Sequence, residues 1–201
     1  MHRLDPGRTH DGEETTVELE YRPCRLRDVP VLDRLNPGPT VVSFSVQRFA
    51  RHEIGYSTFL LAWTADSPVG HAEILWNGCR DDQVRRAHPD CPEITGLEVF
   101  PAALRGHGIG TGLIGACEDL ARQRGYRRIG LGVAIANPRA ADLYRRLGYR
   151  GDMAYRDRYS CVDSFGAQHN FEDPCVFLTR PLFAGCSDLC HRTNYLPRKS
   201  P

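Results

Sequence analysis

Between residues 105 and 112 the chain reads Arg105-Gly106-His107-Gly108-Ile109-Gly110-Thr111-Gly112. A strand-like run, Ile94 to Phe100, precedes it. Behind it Ile109, Leu113, Ile114, Cys117, Leu120 and Ala121 recur at helical spacing. This unit of strand, glycine loop and helix constrains the fold more than any other segment. Glycines let the backbone approach a ligand closely, and the first N–H groups of a helix lack internal partners. Those donors and the positive end of the helix dipole suit a phosphate, and Arg105 adds a forked donor. A nucleoside-triphosphate loop would need Gly-Lys-Ser/Thr, but the sole lysine of the chain is Lys199. The spacing of Gly110, Gly112 and Gly115 satisfies a dinucleotide fingerprint literally. Its last glycine falls inside the helix, however, and no ribose-binding acid follows at about 20 residues.

The rest of the chain alternates elements of both kinds. Val17 to Arg25 alternates like a half-buried strand, and Asp28–Leu35 and Phe44–Ile54 read as helices. Thr58–Ala65 and Pro68–Trp76 are strands joined by a turn at Asp66-Ser67. Gly78–Cys91 reads as a charged, solvated loop. Arg128–Val133 is a short strand. Asn137-Pro138 then opens a helix that Gly148 closes. Arg150–Val162 and Gln168–Leu182 form a hairpin around Asp163-Ser164-Phe165-Gly166. This order predicts an α/β fold with a mixed sheet. Residues 1–15 are expected to be a flexible leader, 16–182 one domain, and 183–201 an irregular tail.

Two segments in the right order carry a family resemblance. Arg105, Gly108 and Gly110 form R-x-x-G-x-G. Residues 137–149, Asn137-Pro138-Arg139-Ala140-Ala141-Asp142-Leu143-Tyr144-Arg145-Arg146-Leu147-Gly148-Tyr149, look like N-x-x-A-x-x-L-Y-x-x-x-G-[FY]. Together they resemble the GCN5-related N-acetyltransferases, the GNAT family, strongly over 92–150 and more loosely over 16–182. The resemblance implies the GNAT (acyl-CoA N-acyltransferase) fold: a mixed, mostly antiparallel central sheet flanked by helices, with splayed fourth and fifth strands. It implies acetyl-CoA as acyl donor, with the pyrophosphate held by Arg105, Gly106, His107, Gly108, Ile109, Gly110 and Thr111. Leu97 and Val99 would hold the pantetheine by their backbone, and Asn137 would lie near its arm. The alternating glycines of Ile129-Gly130-Leu131-Gly132-Val133 agree with a ligand beside that strand.

Acetyl transfer to an amine needs a neutral amine, a polarised carbonyl and a protonated leaving thiolate. The resemblance makes Tyr144 the general acid and Glu93 the base. Glu98 and Glu73 are competitors, as is water with no dedicated base. Glu93 and Glu98 have opposite parity and are expected on opposite faces of the strand, so only one would face the acceptor. His71 reads as a half-buried strand residue and His107 as a loop side chain near the phosphates.

Acceptor-binding parts are expected in Pro37–Tyr56 and Tyr155–Asp173, with a primary amine of a small molecule as acceptor. Other readings are a non-catalytic acyl-CoA-binding module, a larger acyl-CoA, or a protein or peptide amine. With 26 basic and 25 acidic residues, no global field draws the chain to nucleic acid or a membrane surface. No segment reaches the roughly 20 apolar residues of a membrane helix, and no secretory signal is legible. The eight cysteines form no C-x-x-C pair, so reduced thiols in the cytoplasm are expected. Cys186, Cys190 and His191, with His169 elsewhere, are a poor match to zinc spacing, and no metal is expected. A homodimer is left open.

Overall fold

The two longest apolar runs become the centre of the sheet. The computed structural model describes residues 18–37, 42–163 and 165–183. Ser57–Trp63 (β2) and Pro68–Leu75 (β3) pair antiparallel and are buried almost throughout. Both are covered on either side of the sheet, although β3 carries the buried His71 and Glu73 on the face away from the main core. On one side Leu60, Ala62, Ala72 and Ile74 join the main core. On the other, Phe59 and Leu61 pack against Val29 and Leu32.

Glu20–Pro23 (β1) extends the sheet beyond β2, and Glu93–Val99 (β4) lies antiparallel to β3. Arg128–Ala134 (β5) runs parallel to β4. The closing hairpin, Arg150–Val162 (β6) and Gln168–Pro181 (β7), docks through β7. The seven strands are therefore ordered β1-β2-β3-β4-β5-β7-β6, with β4–β5 the sole parallel pair among the described strands. Helices Val29–Leu35 (α1) and Phe44–Glu53 (α2) cover one face. Ile109–Gln123 (α4) and Pro138–Arg146 (α5) cover the other, placing Leu113, Ile114, Cys117 and Tyr144 in the main core. No helix among the described residues is long and apolar enough to cross a membrane.

Two expectations change. The first strand spans Glu20–Pro23, shorter than the alternation of residues 17–25. The expected loop at 78–91 contains a helix, Asp82–Ala87 (α3). Its N-terminus is capped by the Asp81 carboxylate, which accepts from the N–H groups of Gln83 and Val84. It is pinned by Val84 alone, so no hydrophobic period announces it. The leader at 1–15 and the tail beyond Phe183, with Cys186, Cys190 and His191, lie outside the described residues. The six described cysteines are free, and all but Cys161 are buried.

A buried carboxylate ties α4 to Tyr149 after α5 and to β7. Glu118 accepts from the Tyr149 hydroxyl at 2.9 Å and from Arg180 at 2.8 and 2.9 Å. Deleting it strands a buried hydroxyl and a guanidinium, a loss of about 2 kcal/mol. At 2–4 °C per kcal/mol, Glu118→Ala should lower Tm by roughly 4–8 °C in thermal unfolding. An unchanged Tm would remove this network from the account.

Candidate active site

β4 and β5 begin side by side and then part. Their ladder consists of Glu93↔Gly130 and Ile94↔Leu131, supported by the Gly130 N–H donating to Pro92 at 2.8 Å. Beyond Ile94 and Leu131 the strands continue to Val99 and Ala134 without pairing. Each follows its outer neighbour. β5 stays in register with β7 from Arg128↔Pro181 to Ala134↔Cys175, and β4 returns to register with β3 at Gly70↔Val99. The side chains of Leu97 and Val99 pack into the main core, so their main chain is what borders the cleft.

The glycine loop closes one end of this cleft. Gly106 and Gly108 have φ of +89° and +87°, and a Cβ on either would meet nothing within 4 Å. Their conformation, not crowding, requires glycine. Gly108 precedes α4 with no side-chain cap, and the Gly112 N–H bonds back to Gly108 at 2.9 Å. That leaves the N–H groups of Ile109, Gly110 and Thr111 as the unpaired positive end of a 15-residue helix. Arg105 Nε donates to Val99 O at 3.1 Å, which ties the loop to the end of β4 and leaves the rest of the guanidinium exposed. His107 is exposed beside it.

Other glycines serve packing. The Tyr21 ring fills the space a Cβ on Gly112 would need. Phe177 and Tyr155 fill the space over Gly130 and Gly132, so the alternating glycines of β5 accommodate aromatic rings and do not mark a ligand.

Asn137 caps α5 by accepting from the Ala140 N–H at 3.1 Å. One turn on, the Tyr144 phenol is buried, and that burial pushes its pKa above the ordinary 10. Its hydroxyl makes no hydrogen bond among the described residues, so it is a protonated donor free for another acceptor.

The carboxylates depart from the parity expected of them. Gly96, at φ +57°, sits in a bulge where the β3–β4 register slips between His71 and Glu73. The extra residue rephases the strand. Ile94, Leu97 and Val99 face the main core, while Thr95 and Glu98 share the opposite face. Glu93 and Glu98 thus lie on the same face of β4. Of the two, only Glu98 opens on a cavity of about 450 Å³, whose walls come from Asn36 and Pro37 after α1 and from α2, β3, β4 and β6. The two segments expected to bind acceptor meet there, through Phe44, Arg48 and Arg51 on one side and Asp157, Tyr159 and Ser160 on the other.

Glu98 is 39% exposed and accepts from Asn36 at 2.9 Å. Glu73 is buried and spent on Arg51, which donates to its two oxygens at 2.8 and 2.7 Å. Glu93 is 6% exposed and absent from the cavity wall. Burial pushes its carboxyl up to about 7, against the opposing effect of the Cys79 thiol and with a further push from Asp157. Sequence reasoning overlooked Arg48, Asn36 and the part of His71 in this cavity. The one available signal was the three-residue spacing of Arg48 and Arg51, which puts both on one helix face.

The family model described as acetyltransferase (GNAT) family matches residues 28–149. No curated protein matches. Among solved structures, the ribosomal-protein-S18-alanine N-acetyltransferase from Escherichia coli is 16% identical, with a TM-score of 0.59 over 86% of this chain and 99% of its own. The Salmonella typhimurium protein yncA, solved with its cofactor acetyl-CoA, is 18% identical, with a TM-score of 0.55 over 86% and 99%. A chimera of the spermidine N-acetyltransferase SpeG from Vibrio cholerae and hSSAT is 16% identical, with a TM-score of 0.57 over 82% and 95%. At these identities the likeness is one of fold.

The burial of Glu93 has a consequence for stability. Its carboxyl moves from an ordinary 4.5 to about 7 on folding, so between these values the unfolded chain releases a proton that the folded chain keeps. The stability it contributes is full below about 4.5 and is lost as pH rises through 7. Glu93→Gln escapes that loss. Its stability relative to the parent protein should rise between pH 5 and pH 8 by on the order of 3 kcal/mol, read as a widening Tm gap. A gap that stays constant would mean that Glu93 is not perturbed.

Proposed function

The chain belongs to the GNAT acetyltransferase family, and from that premise we propose that it moves an acetyl group from acetyl-CoA to a primary amine of a small molecule, by direct attack in a ternary complex. One observation carries this reading. The parting of β4 from β5 leaves a cleft between the unpaired amides at the start of α4 and the cavity bordered by Glu98.

The parts fit acetyl-CoA by their chemistry. Loop amides from Gly106 to Thr111 and the free guanidinium edge of Arg105 supply donors for a pyrophosphate. The main chain of Leu97–Val99 supplies an unpaired strand edge for an extended pantetheine and a donor for the thioester carbonyl. The acceptor amine enters from the cavity and gives its proton to Glu98, directly or through water. Glu93 is withdrawn from the acceptor and is not given that part. As the amine attacks the carbonyl carbon, the C–N bond forms and the C–S bond breaks. Tyr144 donates its proton to the departing thiolate, and the products are the amide and free CoA.

Release of free CoA, followed with a panel of small primary amines, tests the reading. Tyr144→Phe should lower kcat on the order of 10²-fold and leave the Kd for acetyl-CoA unchanged. Gly108→Asp should abolish acetyl-CoA binding, because it puts a side chain at φ +87° and a carboxylate where the phosphates belong. Unchanged kcat in Tyr144→Phe would remove the phenol from proton transfer.

A further inference from the structure

The cavity beside β4 holds a guanidinium fork that no protein group meets at hydrogen-bond distance, its partners being Glu73 at 3.7 Å and the Phe59 ring at 5.9 Å. Arg48 reaches in from α2 with its side chain 19% exposed. Its guanidinium lies against Gly96, where any Cβ would overlap it. Its nearest anion is Glu73 at 3.7 Å, but both oxygens of Glu73 already accept from Arg51. Among the described residues, Arg48 makes no hydrogen bond. One carboxylate therefore serves two guanidinium groups, and although Glu98 and Asp157 also line the cavity, the donors of Arg48 are left without a partner at hydrogen-bond distance. A charge so placed is costly until an anion meets it.

Two residues further along the strand the chemistry is reversed. Glu98 Oε2 stands 3.5 Å from His71 Nε2. His71 Nδ1 is 2.8 Å from the Gly96 carbonyl, which can only accept, so Nδ1 carries the hydrogen. Burial, and then the charge of Arg48, pull His71 down to about 4 and keep the ring neutral. Its Nε2 lone pair thus faces a carboxylate with no donor between them. Asn36 donates to the same Oε2 at 2.9 Å, but no donor stands between Oε2 and Nε2, and two facing acceptors are a seat for an amine.

We infer that the acceptor is a small amino-carboxylate, its carboxylate held by the Arg48 fork and its amine seated between Glu98 and His71 Nε2. The inference rests on the acetyl-transfer reading and narrows its acceptor. Gly96 and Glu98 are roughly 7 Å apart at most along an extended strand, so amine and carboxylate must be separated by few bonds, as in an α- or β-amino acid. A polyamine would bring a second cation into a cavity where Arg48, Arg51 and Arg80 stand against Glu73, Glu98 and Asp157, and where Glu73 is already held by Arg51.

The test is CoA release from acetyl-CoA with the common L-α-amino acids and β-alanine. Each is paired with the amine that lacks its carboxylate, and spermidine and an alanine-initiated peptide amide are added. At least one amino acid should exceed its decarboxylated partner by roughly 30-fold in kcat/KM, about 2 kcal/mol at 1.4 kcal/mol per tenfold. Arg48→Gln should shrink that ratio to about 3-fold or less, and Arg48→Lys, which keeps charge but not the fork, should fall between. Retention of the acetyl-CoA-induced Tm rise shows that the variants are folded. If spermidine, the peptide or the decarboxylated amines turn over as well as the amino acids, carboxylate recognition is overturned while acetyl transfer stands. If the preference survives Arg48→Gln, the assignment of Arg48 is overturned. If acetyl-CoA raises Tm but no acceptor releases CoA, the acetyl-transfer reading fails and this inference fails with it.

Discussion

The structure turns on a sheet that cannot stay closed. β4 is held by β3 and β5 by β7, and those outer ladders carry the two inner strands apart after Glu93↔Gly130 and Ile94↔Leu131. Backbone groups left without a partner inside a protein are costly, so a cleft of this kind persists only where solvent or a ligand satisfies it. The candidate site is arranged around that opening. The glycine loop stands at one end of it, tethered to β4 through Arg105 and Val99, and α5 brings Tyr144 to the same side of the sheet. The cavity of Glu98 and Arg48 lies on the opposite side.

One residue links cleft and cavity. Gly96 makes the bulge that turns Glu98 to the same face as Thr95, and its missing side chain is the space in which the Arg48 guanidinium lies. Its carbonyl also fixes the hydrogen of His71. A residue with a side chain there would be strained at φ +57° and would displace Arg48, so both walls of the cavity depend on it.

Much of the element order was legible because its signals are local. Asn137-Pro138 and Gly148 bracket α5, and the long apolar runs mark β2 and β3. The helix α3 was not, since Val84 is its one buried residue and a single apolar side chain has no period. Glycine is the hardest letter to read. Gly106 and Gly108 are there for positive φ, Gly112, Gly130 and Gly132 for aromatic rings, and Gly96 for a bulge, yet in sequence they look alike. The bulge also defeated the parity argument for Glu93 and Glu98, because one inserted residue exchanges the faces of a strand. Arg48 and Gly96 are 48 positions apart, and no local pattern announces their contact.

The central claim is that acetyl-CoA lies in the gap between β4 and β5 with its pyrophosphate on the amides of the glycine loop. Backbone hydrogen exchange, followed with and without saturating acetyl-CoA, tests it most directly. The account predicts slowed exchange concentrated in residues 95–100 and 105–112, with β1 and β2 unchanged. Binding without protection of either segment would contradict it.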